Sequence, residues 1–271
     1  MSDLHIIVCM KVVPKSEEVQ IDPETMTLLR NEARSEINPT DMNALESAFL
    51  LKDRHGGRVT LLAMGPPLFE DYLRVGLAMG ADAAYLLSDR AFGAADTLAT
   101  SYVLAAGAKK LGDYDLIICG EESADGATGQ VPPGIAEWLD IAQVTYATAL
   151  SLEEEPGHLR SRREVRGGHE VLSTLLPALV SVVGHANEPR FMDMDRRAWS
   201  AAEPVTIWGL GDLDVDPEWV GLPGSPTEVA GTSEAPKRDR RREILPGAPE
   251  EQAQRLAAEI IPFLEAAGAR E

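Results

Sequence analysis

The chain has two cysteines in 271 residues, few aromatic side chains (5%), and 25 basic against 44 acidic residues, for a formal charge of −19. Each shortage excludes something. Cys9 and Cys119 sit singly inside apolar runs, so no disulfide framework can be built and both read as buried free thiols in a reducing compartment. The deficit of positive charge creates a field that repels nucleic acid and anionic membrane, so an anionic ligand has to be held by local dipoles. No apolar run approaches the roughly 18 residues of a membrane span. The opening Met1-Ser2-Asp3-Leu4-His5 lacks the basic flank and apolar core of a signal peptide, so a soluble, cytoplasmic protein without membrane insertion is expected. His5, His55, His158, His169 and His185 show no ligand spacing, which leaves no zinc site. A G-x-S-x-G elbow, a Walker lysine loop and a G-x-G-x-x-G after the first strand are all missing, against a hydrolase, a P-loop kinase or a standard NAD domain.

What is present is an alternation. Short apolar or β-branched runs at 4–10, 59–64, 84–87 and 116–119 are separated by segments of helical spacing that begin near Pro39, Pro67, Asp96 and Gln130. Strands apolar nearly throughout need cover on both faces, so the pattern predicts an α/β, doubly wound, mostly parallel sheet of Rossmann-like type. Its ligand edge is the carboxyl end of the strands, at the point where strand order reverses. Asn38 is placed to cap the first helix, with Pro39 in its first turn and Asp41 at its positive end.

After residue 142 the runs at 144–150, 159–165, 169–175 and 178–183, with a Gly167-Gly168 turn, predict an antiparallel extension of the sheet. The nucleotide- or flavin-binding domain is expected over 1–204. Residues 205–271 are expected to form an extended arm and a final helix, which Pro262 should kink or shorten. The basic run Lys237–Arg242 reads as a solvated cluster or a docking element.

The residues with most chemistry are Gly120–Pro133, G-E-E-S-A-D-G-A-T-G-Q-V-P-P, directly after the run Asp115–Cys119. A strand feeding a glycine-rich loop that opens a helix presents backbone N–H groups to a phosphate. Gly120, Gly126 and Gly129 allow close approach, Ser123 and Thr128 supply hydroxyls, and the Asp125 carboxylate can accept from a ribose or an adenine amino group. An ordinary strand-to-helix turn would use the same residue types. On the same edge, Asp96-Thr97 opens a helix, Arg90 offers planar donors to a pyrophosphate or flavin, and Gly65 lets backbone approach a ring. Capping, a solvated arginine and a simple turn are the plain alternatives.

Taken together, the motifs I-V-C-M-K-V-V-P (7–14), N-P-T-D (38–41), L-A-M-G-A-D (77–82), D-G-A-T-G-Q (125–130) and N-E-P-R-F (187–191) resemble the β subunit of electron-transfer flavoproteins, over nearly the whole chain. The resemblance implies an adenine nucleotide contacted by Cys9, Asn38, Asp41, Met64, Asp125, Thr128, Gln130 and Val131. It also implies an obligate heterodimer with an α subunit, which the 205–271 arm would wrap. A recognition loop over Asn187, Glu188, Pro189, Arg190 and Phe191 would insert Met192 or Met194 into a dehydrogenase.

Ser88–Ser101 and Met64–Pro67 are most similar to the electron-bifurcating members, as is the G-S-P-T segment at 224–227. Glu121 and Ala124 depart from that pattern, which has arginine and isoleucine there. The implied cofactor is FAD, with AMP in its place in ordinary members. The implied chemistry is oxidation of NADH at the β-bound FAD. One electron would go to a low-potential ferredoxin- or flavodoxin-like acceptor, the other through the α-subunit FAD to an acyl-CoA-type dehydrogenase. The chain would then be an electron carrier subunit, and an oxidoreductase component where it bifurcates. An adenine-nucleotide sensor on the same fold would have no use for the arm or the N-E-P-R loop.

Overall fold

The computed structural model describes residues 4–15, 35–231 and 243–268, which fall in two units, Met1–Thr232 and Ser233–Glu271. In the first unit the elements run β1 (His5–Met10), β2 (Val12–Pro14), β3 (Ser35–Ile37), α1 (Pro39–His55), β4 (Arg58–Met64), α2 (Phe69–Met79), β5 (Ala83–Leu87), α3 (Thr97–Leu111), β6 (Leu116–Gly120), α4 (Val131–Leu139), β7 (Ala142–Leu152), β8 (His158–Val165), β9 (Gly168–Leu175), β10 (Ala178–Val182), α5 (Met194–Ser200) and β11 (Thr206–Trp208).

Nine of the strands form one sheet in the order β11-β5-β4-β1-β6-β10-β7-β8-β9. From β11 to β7 every neighbour is parallel, and β8 and β9 continue antiparallel. Along the central strands alternate residues serve opposite faces. Ile6, Val8, Leu61, Leu116 and Ile118 pack with Leu45 and Phe49 of α1 and Leu73 and Leu77 of α2. Ile7, Leu62, Ile117 and Leu179 pack with Val103 and Leu104 of α3 and Ile135 of α4. Burial on both faces is why these strands carry no polar alternation. Each wholly buried Leu or Ile contributes about 1.5–3 kcal/mol of apolar transfer free energy. From β1 the chain proceeds outward through β4 and β5, then returns across to β6 on the other side of β1. Strand order therefore reverses between β1 and β6, and their carboxyl ends flank a crevice.

Two expectations need correction. The antiparallel extension is confined to β8 and β9. β7 and β10 are parallel members, and β10, buried at all five positions, lies between β6 and β7. The first compact unit does not stop at residue 204. β11 pairs with β5, Leu213 and Val220 enter the core on the α3 side, and Trp219 stacks edge-on to Trp138. The segment 205–231 thus covers its own domain, because its apolar side chains and capping groups find partners there. In the second unit, α6 (Pro249–Gly268) contains Pro262 in its interior. The basic run Lys237–Arg242 lies outside the described residues. Among the described residues no helix is long and apolar enough to cross a membrane.

Candidate functional site

The crevice is built where β1 gives way to Lys11 and β6 ends at Gly120. Asp41, in the first turn of α1, is buried and clamps the two strand ends. Its Oδ2 accepts the Lys11 N–H at 2.7 Å and its Oδ1 the Gly120 N–H at 3.1 Å. Burial pushes its carboxyl up to about 7, against the pull of these N–H donors, of Asn38 and of the Lys11 charge. Gly120 is required here: an added Cβ would lie 2.5 Å from the Asp41 carboxylate.

Asn38 stands at the helix start but makes no side-chain cap. Its amide instead holds the loop after β6, donating to Thr40 Oγ1 and the Glu122 carbonyl, both at 2.9 Å, and accepting from the Ala124 N–H at 3.0 Å. The expected cap is thus replaced by a longer-range contact, available because α1 starts against that loop.

The loop tip faces solvent. Lys11 Nζ reaches across it, 2.6 Å from Asp125 Oδ1 and 3.2 Å from Ser123 Oγ. Burial raises the Asp125 pKa, but the hydrogen bond and charge of Lys11, with Ser123, outweigh it and hold the carboxyl below its ordinary value. Gly126 and Thr128 are exposed, and the amides of Gly126, Thr128 and Gly129 donate to no protein acceptor among the described residues. Gly129 adopts a φ of 62°, a conformation that favours glycine. Gln130 accepts from Thr97 Oγ1 at 2.8 Å, tying the start of α3 to the start of α4. Val131 opens α4 and packs on the core.

Other predicted contacts are placed differently. The Cys9 side chain lies in the α3-side core beside Cys119, whose thiol is raised well above its ordinary value by its hydrogen bond with Cys9 and by burial. Both thiols are free. The ring that approaches Gly65 is that of Phe69, and Met64 packs on the α3-side core. Asp96 is saturated by protein: it accepts the Leu98 and Ala99 N–H groups as cap of α3, and the N–H and hydroxyl of Thr227. Arg90, in the short helical turn Arg90–Phe92 after β5, is exposed, and its side chain has no hydrogen-bond or ion-pair partner among the described residues. No cluster of acidic, His or Cys side chains able to hold a metal is found among the described residues.

A second candidate surface follows β10. Asn187 exchanges hydrogen bonds with Asn43 and donates to Ser47 Oγ at 2.9 Å, while Arg190 forks onto Glu46, 2.9 and 3.0 Å, and reaches Asp53 at 2.7 Å. Glu188 and Pro189 are exposed. The apolar tip is Phe191, 97% exposed, against 70% for Met194 and 39% for Met192. Lys11 and Glu46 are the residues that sequence reasoning missed. Lys11 stands inside the quoted 7–14 motif, immediately after a strand at the reversal point, and that position was the available signal.

Fold and crevice define a doubly wound α/β protein whose switch point presents a lysine and, among the described residues, amides without a protein acceptor. The chain belongs to the electron transfer flavoprotein family: the model of the electron transfer flavoprotein domain matches residues 25–208. It is 46% identical over 230 residues to the electron transfer flavoprotein subunit beta of Clostridium acetobutylicum, covering 85% of this chain and 88% of that one. It is 44% identical over 227 residues to the caffeyl-CoA reductase-Etf complex subunit CarD of Acetobacterium woodii, covering 83% and 86%. It is 40% identical over 264 residues to protein FixA of Azorhizobium caulinodans, covering 95% and 94%.

Proposed function

We propose that this chain is the β subunit of a heterodimeric electron-transfer flavoprotein that holds FAD at the β1/β6 crevice and serves electron bifurcation. The observation that carries the reading is that the Lys11 ammonium lies on a loop whose Gly126, Thr128 and Gly129 amides have no protein acceptor among the described residues. These donors fit the phosphate half of an adenine nucleotide, because N–H groups and an ammonium are what phosphate oxygens accept from. Asp125 keeps Lys11 pointed at the loop and offers its second oxygen to a ribose or adenine donor. Arg90, on the loop after β5 at the same sheet edge, remains available to a ligand longer than a mononucleotide. FAD, when bound, supplies acceptance of two electrons from NADH and their separate release, and the chain supplies its position and electrostatic surroundings. The name of CarD places that relative in a complex of an Etf with a caffeyl-CoA reductase. By analogy the partners here are an α subunit, an acyl-CoA-type dehydrogenase docked at Phe191, and a ferredoxin- or flavodoxin-like acceptor.

One observation favours structural AMP instead. Asp96 and Asp89 of the loop after β5 are already taken by Thr227 and Leu210, which leaves that loop fewer free groups for a flavin. The two readings share the adenine site, so that site is tested first. Exchange of Lys11 for Ala removes one charge-assisted hydrogen bond, about 1.5–3 kcal/mol, and should weaken nucleotide retention by roughly 10–100-fold with the fold intact by circular dichroism. Equilibrium dialysis of the purified heterodimer measures it; undiminished retention would remove the crevice as the nucleotide site.

A further inference from the structure

The residues that fix the apolar tip at Phe191 lie outside its loop. Glu46, in the middle of α1, is only 5% exposed, and a carboxylate so placed needs a partner. That partner is Arg190. Glu46 Oε2 accepts from Arg190 Nε at 2.9 Å and from the Arg190 backbone N–H at 3.0 Å, and its Oε1 accepts from the guanidinium at 3.0 Å. The guanidinium also lies 4.8 Å over the Phe49 ring and is bonded to Asp53 at 2.7 Å. Side chain and main chain of Arg190 are therefore both held by one buried carboxylate, on the residue directly before Phe191.

The loop is fixed at its other end as well. The Asp193 N–H donates to the Ala78 carbonyl at 3.1 Å, and the Arg196 guanidinium donates to the carbonyls of Leu77 and Ala81 at the end of α2. Phe191 and Met192 thus form a two-residue arch between a clamp on α1 and a clamp on α2. An exposed aromatic side chain ordinarily loses conformational freedom when it docks, and an arch already held in place pays less of that cost.

We infer that Glu46 is a positioning residue for partner docking: through Arg190 it sets the direction in which Phe191 leaves the domain. The inference rests on the docking reading above, and two variants separate them. Phe191→Ala tests the docking reading. Glu46→Gln, which keeps the shape but not the charge of the clamp, tests the inference. Arg190→Lys, which keeps the charge but loses the planar fork, tests it from the solvent side should the α1 variant fail to fold.

In the α/β heterodimer, with a short-chain acyl-CoA dehydrogenase titrated as electron acceptor, Glu46→Gln and Arg190→Lys should each raise KM for the dehydrogenase about tenfold. Turnover at saturating dehydrogenase should stay within about twofold, and flavin reduction by NADH should be unchanged. Combined with Phe191→Ala, Glu46→Gln should add little, because both act on one contact. Amide hydrogen exchange at 191–193 should quicken in both clamp variants. If Phe191→Ala raises KM while neither clamp variant does, even with a lowered melting temperature, Glu46 is structural only and the inference fails with the docking reading intact. If Phe191→Ala leaves KM unchanged, both fall.

Discussion

Exchange of Asp41 for asparagine is expected to lower the stability of the folded chain by about 1–3 kcal/mol at mildly acid pH. For a chain of this size that is a fall of about 3–10 °C in melting temperature. Asp41 offers two acceptor oxygens to two backbone donors, the N–H groups of Lys11 and Gly120. At mildly acid pH the carboxyl is protonated, yet its hydroxyl oxygen keeps a lone pair for one of those N–H groups, whereas an asparagine NH2 group accepts nothing and must face one of them in a buried site. The variant also carries a pH signature. The folded-state pKa of Asp41, about 7, lies above the ordinary carboxylate value, so the folded chain binds the proton more tightly than the unfolded chain. Its contribution is therefore full below about pH 4 and is lost as pH rises through about 7. The substituted asparagine does not titrate, so the gap between wild type and variant should narrow from about pH 5 to pH 8. Thermal unfolding across that range measures it; equal melting temperatures at pH 5, or a gap that widens with pH, would contradict the clamp.

Replacement of Phe191 by Ala should cost about 2 kcal/mol of partner affinity, roughly a 30-fold rise in KM for the dehydrogenase. A central aromatic anchor removed from an otherwise unchanged docking surface has an effect of that size. The family resemblance points to Met192 or Met194 as the inserting residue, and the geometry instead favours Phe191, whose side chain is almost wholly free. Met192→Ala and Met194→Ala should each have less than a third of the effect. Electron transfer from the reduced heterodimer, followed over a range of dehydrogenase concentrations, ranks the three. A larger loss from either methionine would return the role to it.

The parallel core was legible because its cause is local. Residues 6–10, 59–64 and 116–120 are apolar on both sides of the chain but for Thr60, and only a doubly covered sheet accepts such strands. The Asp96 cap of α3 was legible for the same reason, since the residues it serves are two and three positions away. What stayed hidden depends on distance along the chain. Lys11 meets Asp125 across 114 residues and Arg190 meets Glu46 across 144, and no window of sequence contains either pair. β10 shows the same limit. Its apolar run identifies a strand, but its place between β6 and β7 rests on pairings with residues about 35 to 62 positions away, beyond any local window. The segment 205–231 misled by composition. Its prolines and glycines suggested an arm, yet Leu213, Val220 and the Thr227 contact with Asp96 close it over α3.

We propose that the β1/β6 crevice holds a flavin nucleotide in addition to one in an α subunit. The direct measurement is the flavin content of the purified α/β pair, from its visible spectrum with protein quantitation and chromatography of the nucleotides released on denaturation. About two FAD per heterodimer and no AMP are expected, following from donors enough for an adenine nucleotide and an exposed Arg90 on the same sheet edge. One FAD together with one AMP would rule out a flavin in the crevice and leave it a structural nucleotide site.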